Sequence, residues 1–115
     1  MKKIAHIDNS EFFRKQMKAF LEKAGHKVEG FEKGEDVLTA VGSDDIDIVI
    51  MGVEIMDMTG ETLLQRLKEY YPSVPVIAVT SSDNEERKQQ LTSLGISAII
   101  NKSENWQEEL PKLIR

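Results

Sequence analysis

The sequence contains no cysteine. That absence excludes a disulfide framework, a thiolate zinc site and a cysteine nucleophile. Only two histidines are present, His6 and His26, far apart in the chain and too few to suggest a histidine-rich metal centre. No apolar run approaches the roughly 20 residues that cross a bilayer. The basic start Met1-Lys2-Lys3 leads into an apolar stretch broken by His6 and Asp8, unlike the core of a signal peptide. A soluble, cytoplasmic protein is therefore expected. Basic charge is in deficit too: 15 Lys and Arg against 20 Asp and Glu give a formal net charge of -5. The lysines are interspersed with acids, so no concentrated basic patch is available for nucleic-acid phosphates. Partners are expected to be proteins, not nucleic acid or membrane.

What is present fits one globular domain over residues 1–115, since 40% hydrophobic content in a chain of 115 residues is enough to fill a core. The chain is organised around the stretch from Asp45 to Gly60, DIDIVIMGVEIMDMTG. Ile46, Ile48, Val49, Ile50 and Met51 are apolar without alternation, as in a central parallel strand buried on both faces. The run stops at Gly52. Taken alone, that glycine reads as a residue that lets the chain turn out of a sheet.

In chain order, a strand over Lys3–Ile7 passes through Asp8, Asn9 and Ser10 into a helix. In that helix Phe13, Met17, Phe20, Leu21 and Ala24 form one apolar face, Ser10 is the N-cap and Gly25 the C-terminal stop. A second strand over His26–Phe31 precedes a short helix over Gly34–Val41. The third strand, Ile46–Met51, runs through a loop to a helix over Gly60–Tyr70 whose Leu63, Leu64, Leu67 and Tyr70 share a face. Pro72 and Pro75 lead into a fourth strand, Val76–Thr80. The next helix, capped by Ser82 or Asp83, has only Leu91 and Leu94 as anchors and is expected to be loosely held. A fifth strand over Ile96–Ile100 precedes a final helix from about Asn105, with Trp106, Leu110, Leu113 and Ile114 as apolar contacts. Pro111 lies inside it, and the ~3 kcal/mol cost of an interior proline predicts a kink or split near Leu110.

Five βα pairs predict a flavodoxin-like (βα)5 fold: a doubly wound, parallel five-stranded sheet in the order 2-1-3-4-5 with helices on both faces. The functional crevice of such a sheet lies outside the carboxyl ends of its strands, at the switch point between the first and third. Asp8 and Asn9, Gly52, Thr80 and Lys102 all fall there. A flavin-binding electron carrier would share the fold, but DNSEFF after the first strand lacks the phosphate-cradling glycine or Ser/Thr-rich loop it needs.

The segments IAHIDNS, IDIVIMGVEIMDMTG, VPVIAVTSS and SAIINKS stand in an order and spacing that resembles the receiver domains of bacterial response regulators, the CheY-like superfamily. The resemblance covers essentially the whole chain. It implies a two-component signalling role in which paired acids after strand one hold magnesium and an aspartate ending strand three accepts a phosphoryl group. A threonine or serine and a lysine then bind the phosphoryl oxygens. Asp8, Thr80 and Lys102 match those positions. Asn9 replaces the second acid, Gly52 replaces the phospho-accepting aspartate, Ser103 replaces a proline, and Ile99 stands where many receivers carry an aromatic switch residue. The loop after Gly52 also lacks the usual proline.

Glycine supplies no nucleophile, so aspartyl phosphorylation is expected to be absent and no catalytic residue is assigned. The expectation is a degenerate receiver with a vestigial phosphate pocket of Asp8, Asn9, Gly52, Thr80 and Lys102, acting as a phosphorylation-independent interaction or regulatory module. No cofactor is expected beyond weak magnesium at Asp8, Asn9 and the Glu54 backbone. The alternative is an active receiver that uses a substitute acid, Glu54, Asp57 or Asp8, or whose natural aspartate at position 52 has been exchanged for glycine. Lys102 is expected to pair with Asp8 or a bound anion. Thr80 is expected to bond the backbone at its strand end. His6 points to the same side of its strand as Asp8 and is expected to be partly buried and bonded to a neighbour, whereas His26 is assigned no role. Phe12 and one of Tyr70 and Tyr71 are expected to be exposed. The resemblance implies a histidine kinase, an output domain or another regulator as partner. It also implies a contact or homodimer face over residues 83–94 and 99–103.

Overall fold

A computed structural model describes residues 1–114. The strands are β1 (Lys3–Ile7), β2 (Lys27–Phe31), β3 (Ile48–Met51), β4 (Val76–Thr80) and β5 (Ala98–Asn101). They alternate with helices α1 (Glu11–Lys23), α2 (Gly34–Ser43), α3 (Gly60–Tyr70), α4 (Glu85–Ser93) and α5 (Trp106–Ile114). The strands form one parallel sheet in the order β2-β1-β3-β4-β5, the predicted flavodoxin-like arrangement.

The lack of alternation in the central strands has a direct cause. Ile48 and Ile50 of β3 pack with Phe13, Met17 and Leu21 of α1 and Trp106, Leu110 and Ile114 of α5. Val49 and Met51 pack on the opposite face with Val37 and Val41 of α2, Leu63, Leu64 and Leu67 of α3, and Leu91 of α4. Each central strand therefore feeds two cores, and both of its residue parities are largely apolar.

Local chemistry sets several boundaries. The Ser10 hydroxyl accepts the Phe13 N–H and starts α1, and Gly25, at φ 96°, turns the chain after its end. Other boundaries differ from the sequence expectation. Asn84, not Ser82 or Asp83, caps α4 by accepting the Arg87 N–H. Strand β3 starts at Ile48, three residues after Asp45 turns the chain with a positive φ of 54°; Ile46 is buried without being part of the ladder. Strand β5 is shifted to Ala98–Asn101, after a turn at Gly95, and α2 continues to Ser43. Helix α5 is not split: it runs through Pro111 as one helix, with Trp106, Leu110 and Ile114 all buried. Burial of these three side chains outweighs the ~3 kcal/mol that an interior proline costs. Leu113 and Tyr70 do not join the core; like Phe12 they are exposed.

Candidate functional site

The parallel register brings the ends of β1, β3, β4 and β5 to one edge. There a cleft of about 170 Å³ is lined by Asp8, Asn9, Gly52, Val53, Glu54, Thr80, Ser81 and Lys102. The five residues assigned to a pocket from the sequence are thus brought together.

Asp8 is 2% exposed and is the most constrained of them. Its Oδ1 accepts the Ser10 N–H at 2.9 Å, and its backbone carbonyl accepts a bond from Arg14 Nη1 at 2.6 Å. Lys102 Nζ lies 2.8 Å from Oδ2, so the expected pair forms. The contact is short but poorly aligned for a hydrogen bond, because Oδ2 has no partner of good angular geometry, and it acts as an ion pair. The same ammonium stands 4.2 Å from the centre of the Phe13 ring, a cation–π contact that steadies it from below. Thr80 is buried, and its hydroxyl accepts the Ser82 N–H at 3.1 Å, turning the chain after β4. Asn9 is exposed at the rim.

Gly52 is buried at the end of β3, its N–H donating to the Ile7 carbonyl at 2.9 Å. Its φ lies outside the left-handed region, which only Gly25 and Gly95 among the glycines occupy. The chain therefore does not need glycine here in order to turn. A Cβ at this position would meet Asp8 Oδ2 at 3.1 Å, a tight contact with one movable side-chain atom. What the glycine changes is chemical: Asp8 alone faces the Lys102 ammonium, since the other acid lining the cleft, Glu54, is paired with Arg87.

The two loop acids after Gly52 are committed elsewhere. Glu54 forms an ion pair with Arg87 of α4. Asp57 caps α2 from a distance: Gly34 N–H donates to its Oδ1 at 2.7 Å and Glu35 N–H to its Oδ2 at 3.2 Å. Desolvation is the largest single influence on Asp57 and works to raise its pKa, but the bonds from Gly34 and Glu35, with its own backbone amide and the charge of Lys33, together hold the carboxyl below its ordinary value.

Magnesium, which the family resemblance implies, does not fit the donor set. It favours near-octahedral oxygen ligation through one or two carboxylates. Here Oδ1 of Asp8 is bonded to Ser10 and Oδ2 is paired with an ammonium, and Asn9 brings no charge. Among the described residues no group of three His, Cys, Asp or Glu side chains converges on one point.

His6 departs from expectation. It is 1% exposed, neither ring nitrogen has a hydrogen-bond partner, and its ring meets Phe13 edge-on at 5.7 Å. Burial lowers its pKa from 6.5 to about 4, against the opposing pull of Asp8 and with the help of Lys102 and Arg14. His26 Nδ1 accepts the Lys2 N–H, a structural contact.

Sequence reasoning missed Arg14, Arg87 and the capping role of Asp57. One signal was available: a helix with almost no apolar face, α4, must be held by polar contacts.

The response regulator receiver domain family matches residues 4–115. The chain is similar to the DNA-binding transcriptional regulator NtrC of Proteus hauseri, 32% identical over 75 residues, 65% of this chain and 16% of that protein. It is also similar to the sensor histidine kinase RcsC of Escherichia coli K12, 28% identical over 96 residues, 84% of this chain and 10% of that protein. It thus spans a small fraction of the length of these curated relatives. Among solved structures, the chemotaxis protein CheY4 of Vibrio cholerae superposes with a TM-score of 0.89 at 26% identity, covering 99% of this chain and 96% of that one. A family match that runs from β1 to the last residue, on a sheet of this order, shows that the chain belongs to the response regulator receiver domains, the CheY-like modules of two-component signalling.

Proposed function

We propose that this receiver domain, spanning residues 1–115, works without accepting a phosphoryl group. In this reading it is a degenerate receiver, not an enzyme, whose surface serves as a phosphorylation-independent interaction or regulatory module. One observation carries the reading: β3 delivers Gly52, which has no nucleophile, to the place where an aspartyl phosphate requires a carboxylate. The remaining acids support it. Asp8 is neutralised by Lys102, Glu54 is paired with Arg87, and Asp57 caps α2. Asp8, Asn9, Gly52, Thr80 and Lys102 are then a vestigial phosphate pocket in which Lys102 has taken Asp8 as its counter-ion. Receiver domains typically bind magnesium at their acidic site; here that binding is weak or lost, and no cofactor is required.

The partner is a histidine kinase, an output domain or another regulator in the cytoplasm. The relatives named above, a transcriptional regulator and a sensor kinase, support that class. The α4–β5 surface, residues 83–94 and 99–103, is the proposed contact face for such a partner or for a second copy. The competing reading, an active receiver through Glu54, Asp57 or Asp8, or through a natural aspartate exchanged at Gly52, is separated by intact-mass measurement after incubation with a small phosphodonor and magnesium. The expected spectrum shows the unmodified chain. A stable added phosphoryl group that disappears in Asp8→Asn, Glu54→Gln or Asp57→Asn would overturn the degenerate reading.

A further inference from the structure

Helix α4 is the least anchored helix of the fold. Of its nine residues only Leu91 is buried, and the rest of its surface is polar. A helix of this kind cannot be held by apolar packing alone. Arg87 supplies the missing attachment. Its guanidinium forks onto the Glu61 carboxylate of α3, Nε to Oε2 at 2.6 Å and Nη2 to Oε1 at 3.0 Å. Nη2 also donates to the Val53 carbonyl at 3.0 Å, and Nη1 to Glu54. The Arg87 and Glu61 side chains are 21% and 18% exposed, so this fork is partly withdrawn from water. Burial alone would raise the Glu61 carboxyl, yet the Arg87 bond holds it below its ordinary value, and Glu61 in turn raises the guanidinium. The Arg87 N–H is itself bonded to the Asn84 cap, which fixes where the side chain leaves the helix.

Two of the groups that Arg87 grips, Val53 and Glu54, directly follow Gly52. We infer that Arg87 is a latch: it holds the β3–α3 loop, the first turn of α3 and α4 as one unit, so that the α4 face moves only when this cluster opens. The fork on Glu61 and the bond to Val53 carry the attachment, because bidentate, partly buried charge pairs are the strong ones. The Glu54 limb, whose side chain is 71% exposed, adds little. The latch is a built-in cation that couples the cleft to the α4 face. This inference is independent of whether any residue accepts a phosphoryl group.

Hydrogen exchange read by mass spectrometry tests it on the full chain and on the variants Arg87→Gln, Arg87→Lys, Glu61→Gln and Glu54→Gln. Arg87→Gln and Glu61→Gln are expected to speed exchange of the amides of Glu85–Ser93 and of the loop at residues 53–59 by about tenfold or more, with β1, β3 and β4 unchanged. Arg87→Lys keeps the charge but not the fork and recovers only part of that protection. Glu54→Gln changes it by less than about twofold. Should Arg87→Gln also lose protection in the sheet, Glu61→Gln, which leaves Arg87 bonded to Val53, decides the matter on the same readout. Exchange in α4 within about twofold of the parent in Glu61→Gln, or full protection in Arg87→Lys, overturns the latch.

Discussion

Replacing Gly52 by aspartate restores the acid that β3 lacks, and the structure sets the cost. The new Cβ arrives 3.1 Å from Asp8 Oδ2, which must give by a few tenths of an ångström. Charge repulsion costs more than this contact. In the parent one carboxylate faces one ammonium; in Gly52→Asp two carboxylates share Lys102 in a cleft of about 170 Å³. At roughly 4 Å and an effective dielectric constant of about 20, two like charges repel by about 4 kcal/mol. Attraction to the shared Lys102 offsets part of this, leaving a net destabilisation of about 1–3 kcal/mol. For a domain of this size that is a fall in Tm of about 4–12 °C in the absence of divalent ions. Two carboxylates make an acceptable magnesium site where one did not, so added magnesium should recover much of the loss. Gly52→Asn controls for the steric contact, because it brings the same Cβ without charge. Thermal unfolding of the parent, Gly52→Asn and Gly52→Asp, each with and without magnesium, separates the steric cost from the electrostatic one. Equal stability of the Asn and Asp variants, with no response to magnesium in either, would refute the electrostatic account of this cleft.

Three further outcomes can be measured. Lys102→Met leaves the Asp8 carboxylate buried with no counter-ion, and urea denaturation should register a loss of about 3 kcal/mol; a change below about 1 kcal/mol would mean that water replaces the lysine. His6 has a folded-state pKa of about 4 against 6.5 unfolded, so above pH 6.5 its neutral form contributes fully, and as pH falls from 6.5 to 4 the unfolded chain takes up a proton that the fold refuses. Stability should decline through that window by about 3 kcal/mol, and His6→Phe should flatten the decline; an unaltered profile in the variant would show that the acids govern it. Asp57→Ala removes the two bonds at the start of α2 and should lower stability by about 1 kcal/mol, with faster amide exchange at Gly34 and Glu35; exchange that stays as slow as in the parent would show that other groups cap this helix.

Much of the fold was legible in the sequence because hydrophobic periodicity reports burial locally. The spacing of Phe13, Met17 and Leu21 marks the inner face of α1, and the unbroken run Ile48 to Met51 marks a strand with helices on both sides. Boundaries were less legible where a single cap decided them, as at Asn84. The split allowed for at Pro111 does not occur, because the sequence shows the local cost of a proline but not the burial of Trp106, Leu110 and Ile114 that opposes it. His6 was placed on the correct side of β1, but nothing in the sequence says that Phe13 closes over it and leaves both nitrogens without partners.

Residue order alone was enough to specify the sheet order, the convergence of Asp8, Gly52, Thr80 and Lys102 at one edge, and the lack of a nucleophile at position 52. These depend on residue type and on the βα alternation, which local patterns encode, together with the strand order usual for a sheet of that kind. The Lys102–Asp8 pair was anticipated from the sequence, but what the other charges do became visible only in three dimensions: Asp57 on α2, and Arg87 across Val53, Glu54 and Glu61. Long flexible side chains choose partners by distances across the fold, between residues up to 34 positions apart in the case of Arg87, and no periodicity records that choice.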